Sequence, residues 1–334
     1  MALSILVTGG AGYIGSHACK ALARAGYNPV VFDNLSRGHR EAVRWGPLIK
    51  GNLADRDMLV SALIRHEVTA VMHFAAHAYV GESVANPAMY YRNNLGGSLA
   101  LVEAMRETRV DKVVFSSTCA TYGIPADTPI RESAPQLPVN PYGETKLAIE
   151  RALHWYGEAY GLRSVSLRYF NAAGADSEGE IGELHEPETH LVPLVLQTAL
   201  AQRPHIDIYG TDYPTADGTA IRDYIHVEDL AEAHLRALEH LCAGGESMAL
   251  NLGTGRGYSV REVIAMAESV CGRAISWREA ARRPGDPPVL VADSSRAAES
   301  LGWQPQRSDL RTIIRTAFAW HERCAKKQVL PHSL

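Results

Sequence analysis

The stretch Gly9-Gly10-Ala11-Gly12-Tyr13-Ile14-Gly15 decides the fold of this chain. An apolar run, Ser4–Thr8, precedes it, and a helix-compatible stretch, Ser16–Ala25, follows it. The glycines fit both GxGxxG and GxxGxxG, spacings that join a strand to a helix at a dinucleotide site. Glycine is required because a Cβ would keep the backbone away from a pyrophosphate, whose oxygens bind the free N–H groups of the helix N-terminus. The stretch therefore predicts a phosphate-binding turn.

An acidic residue follows this turn at the distance expected of a dinucleotide site. Asp33 ends a second apolar run, Pro29–Asp33, eighteen residues after Gly15. A carboxylate there binds the adenosine ribose hydroxyls and repels a 2′-phosphate, which favours NAD over NADP. Arg37 is the argument for NADP, because a guanidinium suits the additional phosphate. We predict NAD as the cofactor.

Short apolar runs alternate with helix-compatible stretches through the first half of the chain. This alternation predicts an α/β fold, a Rossmann-type doubly wound parallel sheet with a smaller C-terminal substrate-binding domain. We expect an NAD-binding domain over residues 1–171, with 222–241 returning to it, and a substrate-binding domain over 172–334. The predicted strands are Ser4–Thr8, Pro29–Asp33, Leu48–Gly51, Ala70–Ala75, Lys112–Ser117 and Ser164–Asn171.

The second half of the chain is less regular. Residues 172–220 predict loops around one helix, Pro193–Gln202, because Gly, Asp, Glu, Pro and Thr dominate the rest of that segment. A short strand, Tyr224–Val227, then leads into a strongly patterned helix. Ser259 and Ser308 each precede an apolar-periodic stretch, so each is predicted to cap a helix.

The composition excludes several classes of protein. With 33 Lys and Arg against 37 Asp and Glu, the 334-residue chain carries a net charge of −4 and lacks the positive excess that nucleic-acid binding requires. No apolar run is long enough for a membrane span, and the N-terminus lacks the basic region of a signal peptide. The five cysteines are scattered and form no CxxC pair, which is typical of reduced thiols. We expect a cytoplasmic protein without nucleic-acid or membrane partners.

A tyrosine and a lysine stand four residues apart, which places Tyr142 and Lys146 on one helix face. Asn140 and Pro141 before them predict the first residues of that helix. A phenol has a pKa of about 10, but a neighbouring ammonium and a nicotinium cation would lower it and create a general base. A YxxxK pair also arises by chance on amphipathic helices. Here it follows a glycine turn and the hydroxyl-rich stretch Phe115–Gly123, and this context favours catalysis.

His185 and His190 raise the question of a zinc site. Their HExxxH spacing is one residue longer than the pair that binds zinc from a single helix, and Pro187 disfavours a helix. No third ligand is evident from the sequence, so we predict no metal.

These residues and motifs resemble those of the UDP-sugar 4-epimerases of the extended short-chain dehydrogenase/reductase family. The resemblance implies that NAD takes a hydride from C4 of a UDP-sugar and returns it to the other face of a 4-keto intermediate, interconverting UDP-glucose and UDP-galactose. It also implies a homodimer that packs through helices of the first domain. The matching stretches are LVTGGAGYIGSH, FDNLSRG, HFAAHAYVGES, YYRNN, FSSTCATYG, PYGETK, LRYFNAAGA, IYGTDYPTADGTAIRDYIHVEDLA, NLGTGRGYS and RRPGDPP.

The resemblance also implies a role for individual residues. Tyr142 is the base at the sugar 4-hydroxyl, Thr118 binds the 4-oxygen, and Lys146 binds the nicotinamide ribose and lowers the tyrosine pKa. The implied cofactor-binding residues are Gly9, Gly12, Tyr13, Ile14, Gly15, Asp33, Asn34, Asn52, Leu53, Phe74, Ala75, Asn93, Tyr142, Lys146 and Phe170. The implied substrate-binding residues are Thr118, Asn171, His190, Leu191, Tyr209, Arg222, Arg283 and Asp286.

Some positions differ from related enzymes and bear on the reaction. Nucleotide-sugar dehydratases resemble this chain but carry an Asp–Glu pair where Cys119 and Ala120 stand, so we expect no dehydration.

Some positions differ from the best-known epimerases. Where those enzymes carry Asp, Lys, an Asn pair and a Tyr that limits the size of the sugar, this chain has Asn52, Ala78, Thr189-His190 and Leu290, respectively. UDP-xylose/UDP-arabinose and UDP-N-acetylglucosamine/UDP-N-acetylgalactosamine epimerisation therefore stay open as alternatives. A more remote alternative is a catalytically silent NAD-binding sensor.

Overall fold

The computed structural model describes residues 2–283 and 285–329 and divides them into strands and helices that alternate along the chain. The strands are β1 Ser4–Thr8, β2 Asn28–Asp33, β3 Leu48–Lys50, β4 Val68–His73, β5 Lys112–Ser116, β6 Arg163–Tyr169, β7 Asn171–Ala173, β8 Ile206–Tyr209, β9 Ile221–His226, β10 Met248–Leu252, β11 Gly257–Ser259, β12 Trp277–Ala280 and β13 Val289–Leu290. The helices are α1 Tyr13–Arg24, α2 Arg56–Arg65, α3 Val80–Ala85, α4 Pro87–Tyr90, α5 Gly97–Thr108, α6 Pro141–Tyr160, α7 Leu191–Ala199, α8 Val227–Cys242, α9 Val260–Cys271, α10 Ser295–Leu301 and α11 Leu310–Val329.

Seven parallel strands form the central sheet in the order β10-β6-β5-β4-β1-β2-β3. The chain runs outward from β1 through β2 to β3 and then returns to β4 on the other side of β1. This reversal opens a crevice at the carboxyl ends of β1 and β4, the place where ligands bind in open α/β sheets. The predicted doubly wound Rossmann-type sheet is confirmed.

Helices cover both faces of this sheet, which explains why its strands are apolar on both sides. Alternate residues of β1 enter different cores: Ile5 packs with Leu22 of α1 and Leu230 of α8, whereas Leu6 packs with the residues of α2 and α5. A third core, separate from these two, joins α7, α9 and α11 to β8 and β9.

Some predicted boundaries need correction. Segment 172–220 contains the strand β8, and its first residues belong to β7, which pairs with β9. Ser308 does not cap α11, because its hydroxyl donates to the buried Asp229 carboxylate at 2.6 Å. Asp309 accepts the Thr312 N–H at 2.9 Å and caps the helix instead. Ser259 caps α9 as predicted, in a capping box with Glu262.

No helix in the part of the chain that the structure describes is long and apolar enough to cross a membrane.

Replacing Gly9 by alanine is expected to destabilise the fold more than the same change at Gly26. Both residues have positive φ, +74° and +85°, which alanine adopts at a cost of about 1–2 kcal/mol. At Gly9 the new Cβ would lie 2.6 Å from the Ala75 backbone nitrogen, whereas at Gly26 no atom of the described residues lies within 4 Å. We expect this overlap to add about 1–3 kcal/mol to the loss of stability in the Gly9 variant. Urea unfolding measures both variants, and equal losses would contradict the steric account.

Candidate active site

The glycine turn lies between β1 and α1 and brings its backbone to the crevice. Gly12 N donates to Gly9 O at 3.0 Å, which closes the turn just before the helix begins. A Cβ at Gly15 would meet Gly9 O at 2.2 Å, and a Cβ at Gly9 would meet the backbone after β4. These contacts explain two of the glycines by packing.

Asp33 stands at the end of β2 with its carboxylate against the turn. One of its oxygens accepts the Ala11 N–H at 3.1 Å and the other accepts the Leu35 N–H at 2.8 Å. Burial raises the pKa of Asp33, and the two backbone donors and the charge of His39 act in the opposite direction. Each carboxylate oxygen keeps a lone pair, so the residue can still accept hydrogen bonds from ribose hydroxyls.

The Tyr–Lys pair lies in the first turns of α6. Asn140 caps this helix, as predicted, by accepting the Gly143 N–H at 2.9 Å. Lys146 is buried and donates from Nζ to the Ser116 backbone carbonyl at 2.7 Å. Its Nζ lies 6.0 Å from the centre of the Tyr142 ring and 4.8 Å from that of Phe115. The two side chains are therefore neighbours at the carboxyl end of β5.

Burial dominates the ionisation of both groups. It raises the pKa of Tyr142 above its usual value, with a hydrogen bond from Thr118 acting to lower it. It lowers the pKa of Lys146 to about 7, against the attraction of the Glu150 carboxylate. The protein alone therefore does not yield a low-pKa tyrosine. Activation of Tyr142 needs a further positive charge in the site, which a nicotinium ring would supply.

Asn94 holds the segment after β4 against α6, and the sequence analysis missed it. Its amide oxygen accepts the His77 N–H at 2.8 Å, and its amide nitrogen donates to His77 O at 3.0 Å and to the Thr145 hydroxyl at 3.3 Å. It lies in a π-helical turn, Tyr91–Gly96, that also carries Asn93. The nearby Tyr90 ring packs edge-on against Tyr142, with ring centres 6.5 Å apart. The YYRNN string was the available signal, but it does not indicate a π-turn.

A second group that the sequence analysis missed is a buried ion pair behind the Tyr–Lys pair. Glu150 lies one helical turn after Lys146 and pairs with Arg168 of β6. The same carboxylate accepts the Ser117 hydroxyl, and Arg168 donates to the Tyr122 hydroxyl at 2.8 Å. This network fixes α6 to the ends of β5 and β6. Its members are far apart in sequence, so no motif connects them.

The end of β5 supplies hydroxyls, as predicted. Thr118 follows the strand, accepts the Ala120 N–H at 3.1 Å and forms a side-chain hydrogen bond with Tyr142. Burial raises the pKa of the neighbouring Cys119 thiol to about 12, so this group cannot act as an acid or base near neutral pH. The expectation that the chain carries out no dehydration stays a prediction.

His73, at the end of β4, has a hydrogen-bond partner for each ring nitrogen. Its Nδ1 lies 2.6 Å from the Thr8 hydroxyl and its Nε2 lies 2.8 Å from the Ser98 hydroxyl. It connects the two strands that border the crevice.

The other predicted cofactor residues surround the same edge of the sheet. Asn34 and Asn52 each accept a hydrogen bond from the backbone two residues on, at Ser36 and Ala54. The Phe74 ring lies 4.7 Å from that of His234 on α8. Leu53 is buried before α2, and Ala75 adjoins Gly9. Tyr13 and Ile14 begin α1, and Phe170 separates β6 from β7.

Two arginines and their partners form the predicted diphosphate side. Arg222 on β9 pairs with Asp286, and its side chain is mostly buried. Arg283 stacks on Tyr209 at the end of β8, with the guanidinium carbon 4.1 Å from the ring centre. The Asp286 N–H donates to Arg283 O at 3.2 Å, which joins the two pairs into one polar surface. Such guanidinium groups suit a diphosphate.

Three further predicted substrate residues lie at the ends of elements near this surface. Asn171 begins β7 and is paired with Tyr224 of β9. His190 and Leu191 stand at the start of α7.

The reasoning that His185 and His190 lack further ligands is wrong. As predicted, they share no helix, because residues 181–190 are irregular. However, this irregular segment brings Glu183, His185, Glu188 and His190 together, with one potential ligand atom from each within 4.8 Å of the others. Burial acts to lower the pKa of His190, but the charges of Glu183 and Glu188 raise it above its usual value. Loop geometry that no spacing rule describes creates this cluster.

Comparison with known proteins agrees with the geometry. The model of the NAD dependent epimerase/dehydratase family matches residues 5–253. The UDP-glucose 4-epimerase of Rhizobium meliloti (strain 1021) is 55% identical over 320 residues, which are 96% of this chain and 97% of that protein.

Solved structures show the same similarity. UDP-glucose 4-epimerase from Brucella ovis in complex with NAD is 55% identical, with a TM-score of 0.94 over 95% of this chain and 98% of that one. UDP-glucose-4-epimerase from Stenotrophomonas maltophila with bound NAD and formylated UDP-arabinopyranose is 39% identical, with a TM-score of 0.94 over 97% and 99%. The chain described here belongs to the NAD dependent epimerase/dehydratase family.

Proposed function

We propose that this chain is an NAD-dependent epimerase that inverts C4 of a UDP-sugar and interconverts UDP-glucose and UDP-galactose. The observation that carries the proposal is the Tyr142–Lys146 pair beside Thr118 at the carboxyl end of β5, separated from the glycine turn by β4 alone. The names of the relatives, UDP-glucose 4-epimerase over nearly their whole lengths, support it.

The residues around the crevice fit NAD. Close packing excludes a Cβ at Gly9 and Gly15, whereas a Cβ at Gly12 would meet only Gly9 O, at 3.2 Å, among the described residues, so the open side of the turn lies at Gly12. Asp33 is fixed with both oxygens oriented, which suits the two hydroxyls of an adenosine ribose and opposes a 2′-phosphate. Bound NAD⁺ supplies the acceptor and then the donor of the hydride at C4.

The chain's own residues then have distinct roles. Tyr142 takes the proton of the sugar 4-hydroxyl and later returns it, and Thr118 binds the 4-oxygen. Lys146 is anchored on Ser116 O and brings a positive charge to the phenol and to a ribose hydroxyl. Arg222 and Arg283 bind the diphosphate, and Asp286 binds the uridine ribose. His190, Leu191, Asn171 and Tyr209 complete the substrate side.

We propose that residues 1–171 with 222–241 form the NAD domain and that 172–334 form the UDP-sugar domain. The separate core of α7, α9 and α11 supports this division. However, β10, Met248–Leu252, extends the central sheet, so this strand of the later segment belongs with the NAD domain. We also propose a homodimer through the first domain, which the exposed Trp155 and Tyr160 on α6 support, since they are 66% and 61% accessible.

The direct test is proton NMR of UDP-galactose with purified protein and no added cofactor. We expect the anomeric signal of UDP-glucose to grow to a steady ratio, because NAD is regenerated in each cycle and stays bound. If the signal is absent, the assay is repeated with NAD added, since Asn52 and Ala78 differ from the usual cofactor contacts. If UDP-hexoses, UDP-xylose and UDP-N-acetylgalactosamine all remain unconverted with NAD added, the only alternative left is a catalytically silent NAD-binding sensor.

Tyr142→Phe is expected to lower kcat by about 10²–10⁴-fold, because it removes the proton acceptor and leaves the ring in place. NAD content and the melting temperature should stay near the values of the unaltered protein. The matched control is Tyr156→Phe on the same helix, whose hydroxyl bonds Glu103 away from the crevice. Full activity in the Tyr142 variant would refute the proposed mechanism.

Leu290→Tyr is expected to lower kcat/KM for UDP-N-acetylglucosamine by at least about tenfold while sparing UDP-glucose, because the larger ring fills space that an acetamido group needs. Leu290 belongs to β13 and pairs with Arg222, next to the proposed diphosphate site. Steady-state kinetics on both sugars measure the ratio, with Leu290→Met as the size-matched control. An unchanged ratio would mean that another residue sets the size limit.

A further inference from the structure

Two clusters of ionisable side chains lie in the segment between β7 and α7, outside the proposed catalytic groups. The first is Asp176, Glu178 and Glu180, and the second is Glu183, His185, Glu188 and His190. They differ in how their negative charge is balanced, and this difference points to a ligand for the second.

The first cluster already holds a cation supplied by the chain. Lys20 of α1 places its Nζ 2.7 Å from Asp176, 2.8 Å from Glu178 and 2.7 Å from Glu180. Its ammonium group therefore occupies the centre of the three carboxylates, and no further ion is needed there.

The second cluster has no lysine or arginine at its carboxylates from the described part of the chain. The Glu183 and Glu188 side chains are only 4% and 5% accessible, yet their ion pairs in that part of the chain are with His185 and His190 alone. The two carboxylates raise the pKa of His190 above its usual value, but a protonated His190 offsets only one of their two buried negative charges. A divalent cation that displaces this proton would cancel the charge of both carboxylates.

Two separations between donor atoms come close to the edge of a tetrahedral site. Metal–ligand distances of about 2.0–2.1 Å place neighbouring ligand atoms about 3.3 Å apart. In the cluster, His185 Nδ1 lies 3.1 Å from Glu183 Oε1, and His190 Nδ1 lies 3.4 Å from Glu188 Oε1. His185 Nδ1 is 3.9 Å from Glu188 Oε2, and His190 Nδ1 is 2.6 Å from Glu183 Oε1. To admit an ion, the His190–Glu183 pair must open and the His185–Glu188 pair must close.

The surroundings also leave a polar group unpartnered at the cluster. The Tyr79 hydroxyl is buried without a hydrogen-bond partner in the described residues. The Tyr79 ring lies 6.0 Å from that of His185 and 6.5 Å from that of His190. A water molecule held by an ion in the cluster is the kind of group that would satisfy this hydroxyl.

We propose that Glu183, His185, Glu188 and His190 bind a divalent transition metal, with Zn²⁺ as the best fit to two imidazoles and two carboxylates. This donor set is one that tetrahedral zinc accepts, and the buried carboxylates favour a structural ion over an exchangeable one. The inference does not depend on the proposed function, because the cluster contains none of the groups that act at C4.

The ion would fix the irregular segment between β7 and α7. Backbone carbonyls of this segment are already held by His39 at Leu184, by Arg37 at Glu186 and by Trp320 at Glu183. The ion adds the side-chain anchor that these bonds lack. His190 would use Nδ1 for the metal and keep Nε2 for a substrate phosphate, a consequence that rests on the proposed function.

The test uses the full-length protein expressed without a histidine tag. After loading with Zn²⁺ and desalting, elemental analysis is expected to find about one zinc per chain. Replacement by Co²⁺ should give the intense visible bands of a tetrahedral ion, and X-ray absorption of the zinc protein should show imidazole scattering. The absorption experiment needs no variant, so it decides the question even if substitutions impair folding.

Glu188→Gln and His185→Asn are expected to weaken Co²⁺ binding by more than about tenfold, since loss of a ligand exceeds the effect of losing an outer-shell partner. Glu178→Gln is the matched control, because it removes a carboxylate of the neighbouring cluster that Lys20 already neutralises. Unchanged metal content in the ligand variants would overturn the proposal. So would a wild-type protein that retains no zinc, or zinc without imidazole scattering.

Discussion

The burial of the Lys146 ammonium is the constraint on which the rest of the candidate site depends. A charged amine in an apolar interior is unfavourable unless something attracts it, and here the Ser116 carbonyl and the more distant Glu150 carboxylate do so. The carbonyl fixes the lysine at the end of β5, and the helix that carries it fixes Tyr142 beside it. Glu150 in turn needs Arg168, so the position of one amine determines how α6, β5 and β6 meet.

The same constraint explains why the protein and its cofactor must act together. Desolvation depresses the pKa of the lysine and raises that of the tyrosine, so each group of the pair tends towards its neutral form when only protein surrounds it. Under the proposed mechanism, Tyr142 with its raised pKa would act as a base only beside a cationic cofactor. Proton transfer would then be coupled to the oxidised state of NAD.

Much of the fold could be predicted because its signals are local. The glycine turn, Asp33 and the caps at Asn140 and Ser259 each depend on a few neighbouring residues, and each has the predicted place. What escaped prediction depends on residues brought together by the tertiary structure. The Glu150–Arg168 pair, the Asn94 bridge and the His–Glu cluster of segment 181–190 have no fixed spacing in the sequence. Ser308 does not cap its helix because it bonds Asp229, 79 positions away.

The hydrogen bonds of Asp33 have a consequence for the evolution of cofactor preference. The carboxylate that we propose as the ribose ligand also closes the glycine turn through Ala11 and orders the next loop through Leu35. A change to a small neutral residue that admits a 2′-phosphate would forfeit both bonds, at a cost of about 3 kcal/mol in total if each is worth about 1.5. Cofactor choice in this chain is therefore tied to folding stability. A variant that changes its cofactor must first acquire a new brace for the turn, and this makes the preference for NAD difficult to reverse by single substitutions.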